Sequence, residues 1–465
     1  MINPKIFKAY DIRSTYPDEI NEEAVELIAR GIYAYFAKKL NKQDMTICVG
    51  HDMRFSSPSL YHVMTETLKK QGVKVIRLGL VSTPTVYFAT KTYGYDVGIQ
   101  ISASHNPKEY NGVKFLYRDG DALIKIGQTT GMHEVKDVVM HQQFLPYQSG
   151  GSVEEKSNVI TEETQQALDA IQPISLSGLT VVSDPANAMG ILPLTELFKH
   201  LEAKHIMINE TLDGTFPAHQ ADPLQHKTLR QLQDAVVKEH TDIGIAMDGD
   251  ADRVMFIDEK GEIVPATLIT ALIAREILSK KPGELILVDV RYTRNVEHVV
   301  TKHKGKVHFC RIGHALITDQ VNKEGAIFAG ESSGHYYFQS MGGTESSMRV
   351  VLYVLNVLAR EQKPFSEIMK ELSTSEESGE VNYTLPDKFT NEDILAKLKE
   401  QYADGKLNTL DGIAIDFPTW RLSVRFSNTE PLLRLNVEAD TKEELKKAFG
   451  QLKKYLLSLG LHAEE

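Results

Sequence analysis

Residues 242–256 read DIGIAMDGDADRVMF. The first half of this stretch is a short apolar run, as expected of a strand that is covered on both faces of a parallel sheet. The run ends in acidic residues at alternate positions, Asp248, Asp250 and Asp252, and Arg253 follows at once. Carboxylates this close repel one another unless a cation neutralises them. The stretch therefore predicts a buried strand that leads into a metal-binding loop.

The same arrangement recurs along the first three quarters of the 465 residues. Short β-rich runs alternate with helical segments in three sets, and the third strand of each set leads into an unusual loop. The loops are SASHNP at 102–107, DGDADR at 248–253 and GESSGH at 330–335. Ligands of open parallel sheets bind beyond the carboxyl ends of the strands. We therefore predict three related α/β domains with mixed, mostly parallel sheets, arranged around a central cleft.

The last quarter of the chain has a different pattern. RLSVRFS at 421–427 alternates strictly, so Arg421, Ser423 and Arg425 share one face of a predicted strand. A second β-rich run and a helix with Thr441 as its N-cap follow, which predicts a small α+β domain. The predicted domains are 1–150, 151–257, 258–368 and 369–465.

Composition and charge limit the possible partners. The formal charge of −11 argues against nucleic acid or an anionic membrane as the main partner. The first residues lack an apolar signal core, and two cysteines cannot form a disulfide framework. We expect a cytoplasmic protein that binds a small molecule. A monomer fits four domains around a cleft, and a dimer stays open.

Two other interpretations of the acidic loop are weaker. An EF-hand requires glycine at loop position six, where this chain has Arg253. A solvated polar turn does not explain such dense alternation of carboxylates beside an arginine. Oxygen ligands favour a hard ion such as Mg²⁺, and a phosphate oxygen would complete the ligand set. The loop therefore points to phosphoryl chemistry.

The serine loop offers a candidate nucleophile. Ser104 lies in SASHNP, which lacks the GxSxG signature of hydrolases. On its own, Ser104 could equally cap the following turn. Lys114 lies ten residues further on, where its charge could stabilise a transferring phosphoryl group.

Five motifs occur in order along nearly the whole chain: FKAYDIR, SASHNP, DGDADR, GESSGH and RFSNTEPLLRLNVEA. Together they resemble the α-D-phosphohexomutase family, and most closely its bacterial phosphomannomutase/phosphoglucomutase branch. The resemblance implies that Ser104 is carried as phosphoserine, and that its phosphate joins the three aspartates on Mg²⁺. The implied reaction is a reversible isomerisation of hexose 6-phosphate and hexose 1-phosphate through a hexose 1,6-bisphosphate.

The resemblance also implies a set of site residues. The implied catalytic residues are Ser104, Arg13, His105, Lys114, Arg253 and His335. The implied substrate-binding residues are Tyr10, Asn106, Arg291, His314, Glu331, Ser333, Arg425, Ser427, Asn428 and Thr429. The implied metal ligands are Ser104, Asp248, Asp250 and Asp252.

The implied roles differ among these residues. Arg13, Lys114 and Arg253 would stabilise charge during transfer. Glu331 and Ser333 would hold sugar hydroxyls. His335 would be the general base, since imidazole titrates near neutral pH.

Alternative functions stay open at the level of sequence. A phosphoglucosamine mutase is the nearest, although the FGTDG stretch usual at the start of those enzymes is absent. A non-catalytic phosphosugar-binding relative and a phosphatase with Asp248 as nucleophile are the others. The choice between mannose and glucose phosphates is also open, because the two sugars differ only at C2.

Overall fold

The computed structural model describes residues 2–385, 389–426 and 432–463. The strands within residues 2–265 are β1 (Ile12–Thr15), β2 (Thr46–His51), β3 (Lys74–Leu80), β4 (Val97–Ile101), β5 (Tyr110–Asp119), β6 (Ala122–Lys125), β7 (Ser152–Glu155), β8 (Thr180–Asp184), β9 (Lys204–Met207), β10 (Ile243–Met247), β11 (Val254–Asp258) and β12 (Ile263–Val264). The α-helices of this segment are α1 (Glu22–Lys39), α2 (Ser57–Lys70), α3 (Thr83–Thr92), α4 (Met132–Met140), α5 (Val159–Ile171), α6 (Ile191–Phe198) and α7 (Arg230–Lys238).

Residues 266–372 continue the alternation of strands and helices. The strands are β13 (Leu285–Asp289), β14 (Lys306–Cys310), β15 (Phe328–Gly330), β16 (Tyr336–Phe338) and β17 (Thr344–Glu345). The helices are α8 (Ala266–Lys280), α9 (Arg294–Lys302), α10 (His314–Glu324), α11 (Ser347–Glu361) and α12 (Phe365–Leu372).

The last part of the chain is built mainly of antiparallel strands. These are β18 (Glu376–Glu377), β19 (Val381–Thr384), β20 (Lys406–Asn408), β21 (Ile413–Asp416), β22 (Trp420–Phe426), β23 (Leu432–Ala439) and β24 (His462–Ala463). The helices are α13 (Asn391–Gln401) and α14 (Lys442–Ser458). Thr441 is the N-cap of α14, where its side chain accepts a hydrogen bond from the Glu444 amide.

The chain divides into two compact units. Unit 1 comprises residues 1–265, 313–328 and 333–368, and unit 2 comprises residues 266–312, 329–332 and 369–465. The domain boundaries predicted from the sequence stay predictions.

Unit 1 contains two mixed sheets. The first has the order β1-β5-β4-β2-β3-β7, with β6 paired to β5, and the second has the order β12-β11-β10-β8-β9. In both sheets parallel strands lie next to antiparallel ones: β4 is parallel to β2 and antiparallel to β5, and β10 is parallel to β8 and antiparallel to β11. Every residue of β4 and β10 is buried, as their continuous apolar sequences predict.

Strands β13 and β14 lie in unit 2 and belong to the sheet of order β14-β13-β15-β16-β17. The larger sheet of unit 2 has the order β20-β21-β22-β23-β19-β24, with β18 paired to β23. Alternate residues of β22 face an apolar core that includes Leu422, Val424, Leu433 and Leu435. The opposite face of β22 and β23 is polar.

None of the helices in the described ranges has the length and apolar character needed to cross a membrane. Cys48 and Cys310 are buried free thiols.

Candidate functional site

In unit 1 the serine loop meets the acidic loop. Residues 102–107, here called the serine loop, follow β4, and residues 248–253, the acidic loop, follow β10. The Ser104 hydroxyl donates a hydrogen bond of 2.8 Å to Asp248 Oδ2. Both side chains are buried, with residue exposures of 3% and 0%. Two residues separated by 143 intervening positions in the chain thus share one centre.

The main chains of the two loops also touch. A β-carbon on Gly249 would lie 2.2 Å from the Ser104 carbonyl oxygen, so only glycine fits at this point. Ser104 itself has a φ of 50°, in the left-handed region that non-glycine residues rarely adopt. The Ser104 amide donates to the Ser102 hydroxyl at 3.0 Å, which helps hold this conformation. Such strain is typical of functional sites.

Lys114 on β5 is the nearest cation to the acidic trio. Its Nζ lies 2.6 Å from Asp250 Oδ2 and 2.8 Å from Asp252 Oδ2, and all three side chains are buried. Burial lowers the pKa of Lys114, but Asp250 and Asp252 outweigh it and raise that pKa above its ordinary value. The ammonium group therefore stays charged throughout the physiological range.

The carboxyl groups of the trio differ in their proton affinity. Burial raises the pKa of Asp248 well above its ordinary value, and the charges of Asp252 and Asp250 raise it further. Burial acts in the same direction on Asp252, but Lys114 and His335 outweigh it and hold the Asp252 pKa well below its ordinary value. Unequal carboxylates in one buried cluster are typical of functional sites.

The acidic loop suits a divalent cation. Asp248, Asp250 and Asp252 each offer a carboxylate oxygen, and these oxygens lie within 4.8 Å of one another. Asp250 Oδ1 is buried and accepts no hydrogen bond from any described residue. A buried carboxylate oxygen in this state favours a ligand that supplies positive charge.

Two histidines border the centre. His105 Nδ1 lies 3.2 Å from Ser104 Oγ, and burial together with Arg253 and Arg13 lowers the pKa of His105 well below its ordinary value. His335 Nε2 lies 3.4 Å from Arg253 Nε and 3.3 Å from Asp252 Oδ1. A neutral His335 ring can accept from Arg253 and a protonated ring can donate to Asp252, so this position suits a group that takes up and releases a proton.

Arg13, Asn106, Tyr10 and His314 also lie in unit 1. Arg13 Nη1 donates to Asn106 Oδ1 at 2.5 Å, and Arg13 pairs with Asp11. The rings of Tyr10 and His314 lie 5.3 Å apart between centroids. Burial and the charge of Lys125 lower the pKa of His314 well below its ordinary value, so His314 is neutral.

The loop at residues 330–335 is divided between the two units. In unit 1, the Ser333 hydroxyl lies 3.0 Å from His335 Nδ1. In unit 2, Arg291 contacts Asp289 at 3.0 Å and Glu331 at 3.2 Å, and Glu331 is buried. Arg291 thereby fixes the position of the Glu331 carboxylate.

Arg425 lies on the polar face of β22 in unit 2, with a 12% exposed side chain. Burial and the charge of Arg291 lower its pKa from the ordinary value. Ser427, Asn428 and Thr429, which the sequence also predicts to bind substrate, lie outside the described residues.

Comparison with known proteins gives matches along nearly the whole chain. The four phosphoglucomutase/phosphomannomutase domain models match in order: α/β/α domain I at residues 4–130, domain II at 160–261, domain III at 267–375 and the C-terminal domain at 380–454. The chain is 34% identical to a phosphomannomutase of Methanocaldococcus jannaschii, over 98% of each chain. The chain belongs to the α-D-phosphohexomutase family.

Two further relatives agree with this placement. A phosphomannomutase/phosphoglucomutase of Pseudomonas syringae is 32% identical, over 98% of this chain and 97% of its own. The crystal structure of a phosphoglucomutase/phosphomannomutase family protein of Burkholderia thailandensis superposes with a TM-score of 0.87 at 28% identity, and covers 99% of this chain and 98% of its own. This phosphohexomutase is therefore an isomerase that acts on hexose phosphates. The comparisons confirm the fold class, the family and the enzyme class predicted from the sequence.

Arg54 is a residue of this phosphohexomutase that the sequence analysis missed. Its side chain is fully buried, and its Nε donates to Asp52 Oδ2 at 3.2 Å. Its two terminal nitrogens donate at 2.6 to 3.0 Å to the carbonyls of Ser104, Asn106, Pro107 and Tyr110. A single guanidinium group thus fixes the main chain that carries Ser104. The detectable signal was an acid and an arginine directly after a strand, in VGHDMR at 49–54.

A second missed element is the segment at 219–222, which joins the two loops. Gln220 Nε2 donates to the His105 carbonyl at 2.9 Å, and the Gly249 amide donates to the Ala221 carbonyl at 3.2 Å. The segment therefore contacts both the serine loop and the acidic loop. No motif in the sequence marked it.

Proposed function

We propose that this phosphohexomutase interconverts hexose 6-phosphate and hexose 1-phosphate, of mannose, glucose or both, through a phosphoserine at Ser104 and a hexose 1,6-bisphosphate. The observation that carries the proposal is the buried hydrogen bond of 2.8 Å between Ser104 Oγ and Asp248. Because Asp248 belongs to the acidic cluster, this bond puts Ser104 beside a group of carboxylates that suits a cation.

Two transfers complete the reaction. In the first, the bond between phosphorus and Ser104 Oγ breaks, and phosphorus bonds to the free hydroxyl oxygen of the sugar monophosphate. The sugar hydroxyl loses its proton, and Ser104 Oγ gains one. In the second transfer the turned bisphosphate gives its other phosphoryl group back to Ser104, and the proton movements are reversed. The numbers of phosphoryl groups and protons on the enzyme are therefore restored.

The donor set suits Mg²⁺. Asp248, Asp250, Asp252 and the phosphorylated side chain of Ser104 would hold it, since all offer hard oxygen ligands. When bound, Mg²⁺ supplies Lewis-acid stabilisation of the charge on phosphoryl oxygens. A hexose 1,6-bisphosphate is the implied intermediate and activator.

The chain's own cations supply further stabilisation. Lys114 remains charged because Asp250 and Asp252 raise its pKa above the ordinary value. Arg253 and Arg13 add two guanidinium groups, which contact His335 and Asn106 respectively. We assign all three to electrostatic stabilisation of the transferring group, and His105 and Asn106 to the orientation of Ser104.

His335 is the proposed general base. Its Nε2 lies within reach of Asp252 and Arg253, so both of its protonation states have a partner. The Ser333 hydroxyl lies beside its other ring nitrogen and would help orient the ring.

Substrate binding is assigned to both units. Glu331, Ser333, His314, Tyr10 and Arg291 would contact the sugar or position the residues that do. Arg425 would bind the phosphate that is not reacting, together with Ser427, Asn428 and Thr429. The proposal places the enzyme in the cytoplasm, with a phosphosugar as its partner and a monomer as its simplest assembly.

One set of measurements tests the proposal. Mass spectrometry of the purified protein would find phosphate on Ser104, and a variant at an exposed serine, Ser177→Ala, would keep it. Coupled assays would compare mannose 1-phosphate, glucose 1-phosphate and glucosamine 1-phosphate, and we expect turnover of at least one of the first two. Preferred turnover of glucosamine 1-phosphate would replace the assignment with a phosphoglucosamine mutase. Release of inorganic phosphate without isomerisation would indicate a phosphatase.

A further inference from the structure

The Asp250 carboxylate in the acidic loop of unit 1 has its two oxygens in different states. Oδ2 accepts hydrogen bonds from the Lys114 ammonium group at 2.6 Å and from the Thr83 hydroxyl at 2.5 Å. Oδ1 is buried and accepts no hydrogen bond from the described residues. Each carboxylate oxygen has about two lone-pair sites, so Oδ2 is fully engaged while Oδ1 keeps its sites for another ligand.

Thr83, the first residue of α3, makes two contacts with Asp250. Its amide donates to the Asp250 carbonyl at 3.1 Å, and its hydroxyl donates to the carboxylate. Both residues belong to unit 1 and both are fully buried. One threonine thus holds the main chain and the side chain of a residue that lies 167 positions further along the chain.

The two donors to Oδ2 differ in how firmly they fix the carboxylate. Lys114 has a long flexible side chain, and its ammonium group is shared with Asp252 Oδ2 at 2.8 Å. An ammonium group acts as a point charge with rotatable donors, so it would attract either oxygen of Asp250. Thr83 has a short β-branched side chain with restricted χ1 rotation, and its amide is already bound to Asp250. The Thr83 hydroxyl is therefore the donor that selects Oδ2.

A second threonine in the same turn of α3 offers an internal comparison. The Thr85 hydroxyl is also fully buried, and it donates to a carboxylate oxygen, Glu163 Oε2, at 2.6 Å. Glu163 lies on α5 and is not part of the acidic loop. Loss of either hydroxyl therefore removes the same type of buried bond, but of the two it is Thr83 that contacts the acidic loop.

We propose that Thr83 is a positioning residue for the metal ligand Asp250, because its hydroxyl occupies Oδ2 and so leaves Oδ1 as the oxygen that binds the cation. This inference rests on the proposed Mg²⁺ site of the acidic loop. Groups that hydrogen-bond a ligating carboxylate fix its orientation, and their loss weakens metal affinity by about tenfold to a hundredfold. Thr83 would act on the cation through Asp250.

The test compares the loss of the two hydroxyls. Thr83→Val removes the hydroxyl but keeps the size and branching of the side chain, and Thr83→Ser keeps a hydroxyl without the methyl group. Thr85→Val is the matched control. Mg²⁺ binding to each full-length variant is measured without substrate by calorimetric titration, on preparations with equal phosphorylation of Ser104. Turnover of glucose 1-phosphate and mannose 1-phosphate then gives kcat, KM and the Mg²⁺ concentration for half-maximal activity.

The valine variants should differ in Mg²⁺ affinity and resemble each other in stability. We expect Thr83→Val to weaken Mg²⁺ binding about tenfold, with little change in the KM for the sugar phosphate at saturating Mg²⁺. Thr83→Ser should recover most of that affinity, because it keeps the donor to Oδ2. Thr83→Val and Thr85→Val should both melt at lower temperatures than the parent, but Thr85→Val should bind Mg²⁺ as the parent does.

Three outcomes would overturn the inference: parent-like Mg²⁺ binding in Thr83→Val, equal weakening in Thr85→Val, or no recovery in Thr83→Ser. Asp250→Asn separates the inference from the proposed function. If Asp250→Asn loses Mg²⁺ affinity but Thr83→Val keeps it, only the positioning role of Thr83 fails. If Asp250→Asn also binds Mg²⁺ as the parent does, the proposed metal site itself is wrong.

Discussion

The reaction centre of unit 1 and the polar face of β22 and β23 in unit 2 differ in their charged side chains, with carboxyl groups predominant in the first and guanidinium groups in the second. At the reaction centre, three buried aspartates cluster together, and Lys114 contacts two of them. On the polar face in unit 2, Arg425 and Arg434 lie opposite each other, and Glu380 contacts both. Excess buried charge is costly, so a chain keeps it where a ligand of the opposite charge completes the balance. The comparison indicates a cation site in the first region and an anion site in the second.

The largest expected effect comes from removing the proposed nucleophile while leaving the three aspartates in place. Ser104→Ala should lower turnover at least about a thousandfold, because the residue that carries the phosphoryl group is lost. The three aspartates remain, so added Mg²⁺ should still raise the melting temperature of the variant. Ser177→Ala, at an exposed position of the same unit, is the control. Near-normal turnover in Ser104→Ala would show that the nucleophile is another residue.

The second prediction changes the charge of the centre directly. Asp250→Asn should lower kcat at least about a hundredfold and raise the Mg²⁺ concentration needed for half-maximal activity. The reason is that Asp250 Oδ1 is a buried carboxylate oxygen that accepts no hydrogen bond from the described residues. Asp234→Asn makes the same change on the exposed side of α7 and should have no effect. An unchanged Mg²⁺ titration in Asp250→Asn would remove one half of the comparison.

The third prediction tests a buried cation whose partners are already complete. Arg54→Lys should lower kcat about tenfold to a hundredfold with little change in KM, because one ammonium group cannot replace four hydrogen bonds to the carbonyls around Ser104. Arg230→Lys, at an exposed position, is the control. A change confined to KM, or to melting temperature, would show that Arg54 does not position the nucleophile.

The smallest effect concerns Glu163, a buried carboxylate whose pKa is shifted mainly by burial rather than by other carboxylates. Burial raises the pKa of Glu163 to about 7, and the Thr85 hydroxyl donates to it at 2.6 Å. The folded protein therefore binds this proton more tightly than the unfolded chain, whose glutamate has its ordinary pKa of 4.5. Stability should fall as pH rises from that value towards 7 and then level off.

Glu163→Gln removes this ionisation. We expect the variant to match the parent at about pH 4 and to exceed its unfolding free energy by on the order of 1–3 kcal/mol near pH 8. Asp169→Asn, an exposed change on the same helix α5, should show no such divergence. Equal differences at both pH values would mean that Glu163 is not the group responsible. The expected divergence would show how a lone buried carboxylate differs from the aspartate cluster: the lone carboxylate binds a proton, whereas we propose that the cluster binds a metal ion.

The parts that the sequence predicted are those with a local signal. β4 and β10 were predictable because a strand buried on both faces needs a continuous apolar run, and their loops because each carries an unusual set of polar residues directly after such a run. The polar face of β22 followed from strict alternation. These signals lie within about ten residues of the feature that they predict.

The parts that were missed depend on distant partners. Arg54 contacts carbonyls that lie about fifty residues further along the chain, and carbonyls carry no sequence signal. Arg434 faces Arg425 only because of the register between β22 and β23. The division of residues 266–368 between two units was also beyond prediction, since it depends on contacts rather than on composition.

The close approach of Gly249 to the Ser104 carbonyl has a consequence for how this enzyme can be redesigned. The serine loop and the acidic loop meet through main-chain atoms, and a methyl group at 249 would force them apart. A library that varies the sugar-binding residues should therefore leave position 249 untouched. Substrate preference can then be altered without retuning the phosphoryl-transfer machinery, because the fit between the two loops does not depend on the side chains that recognise the sugar.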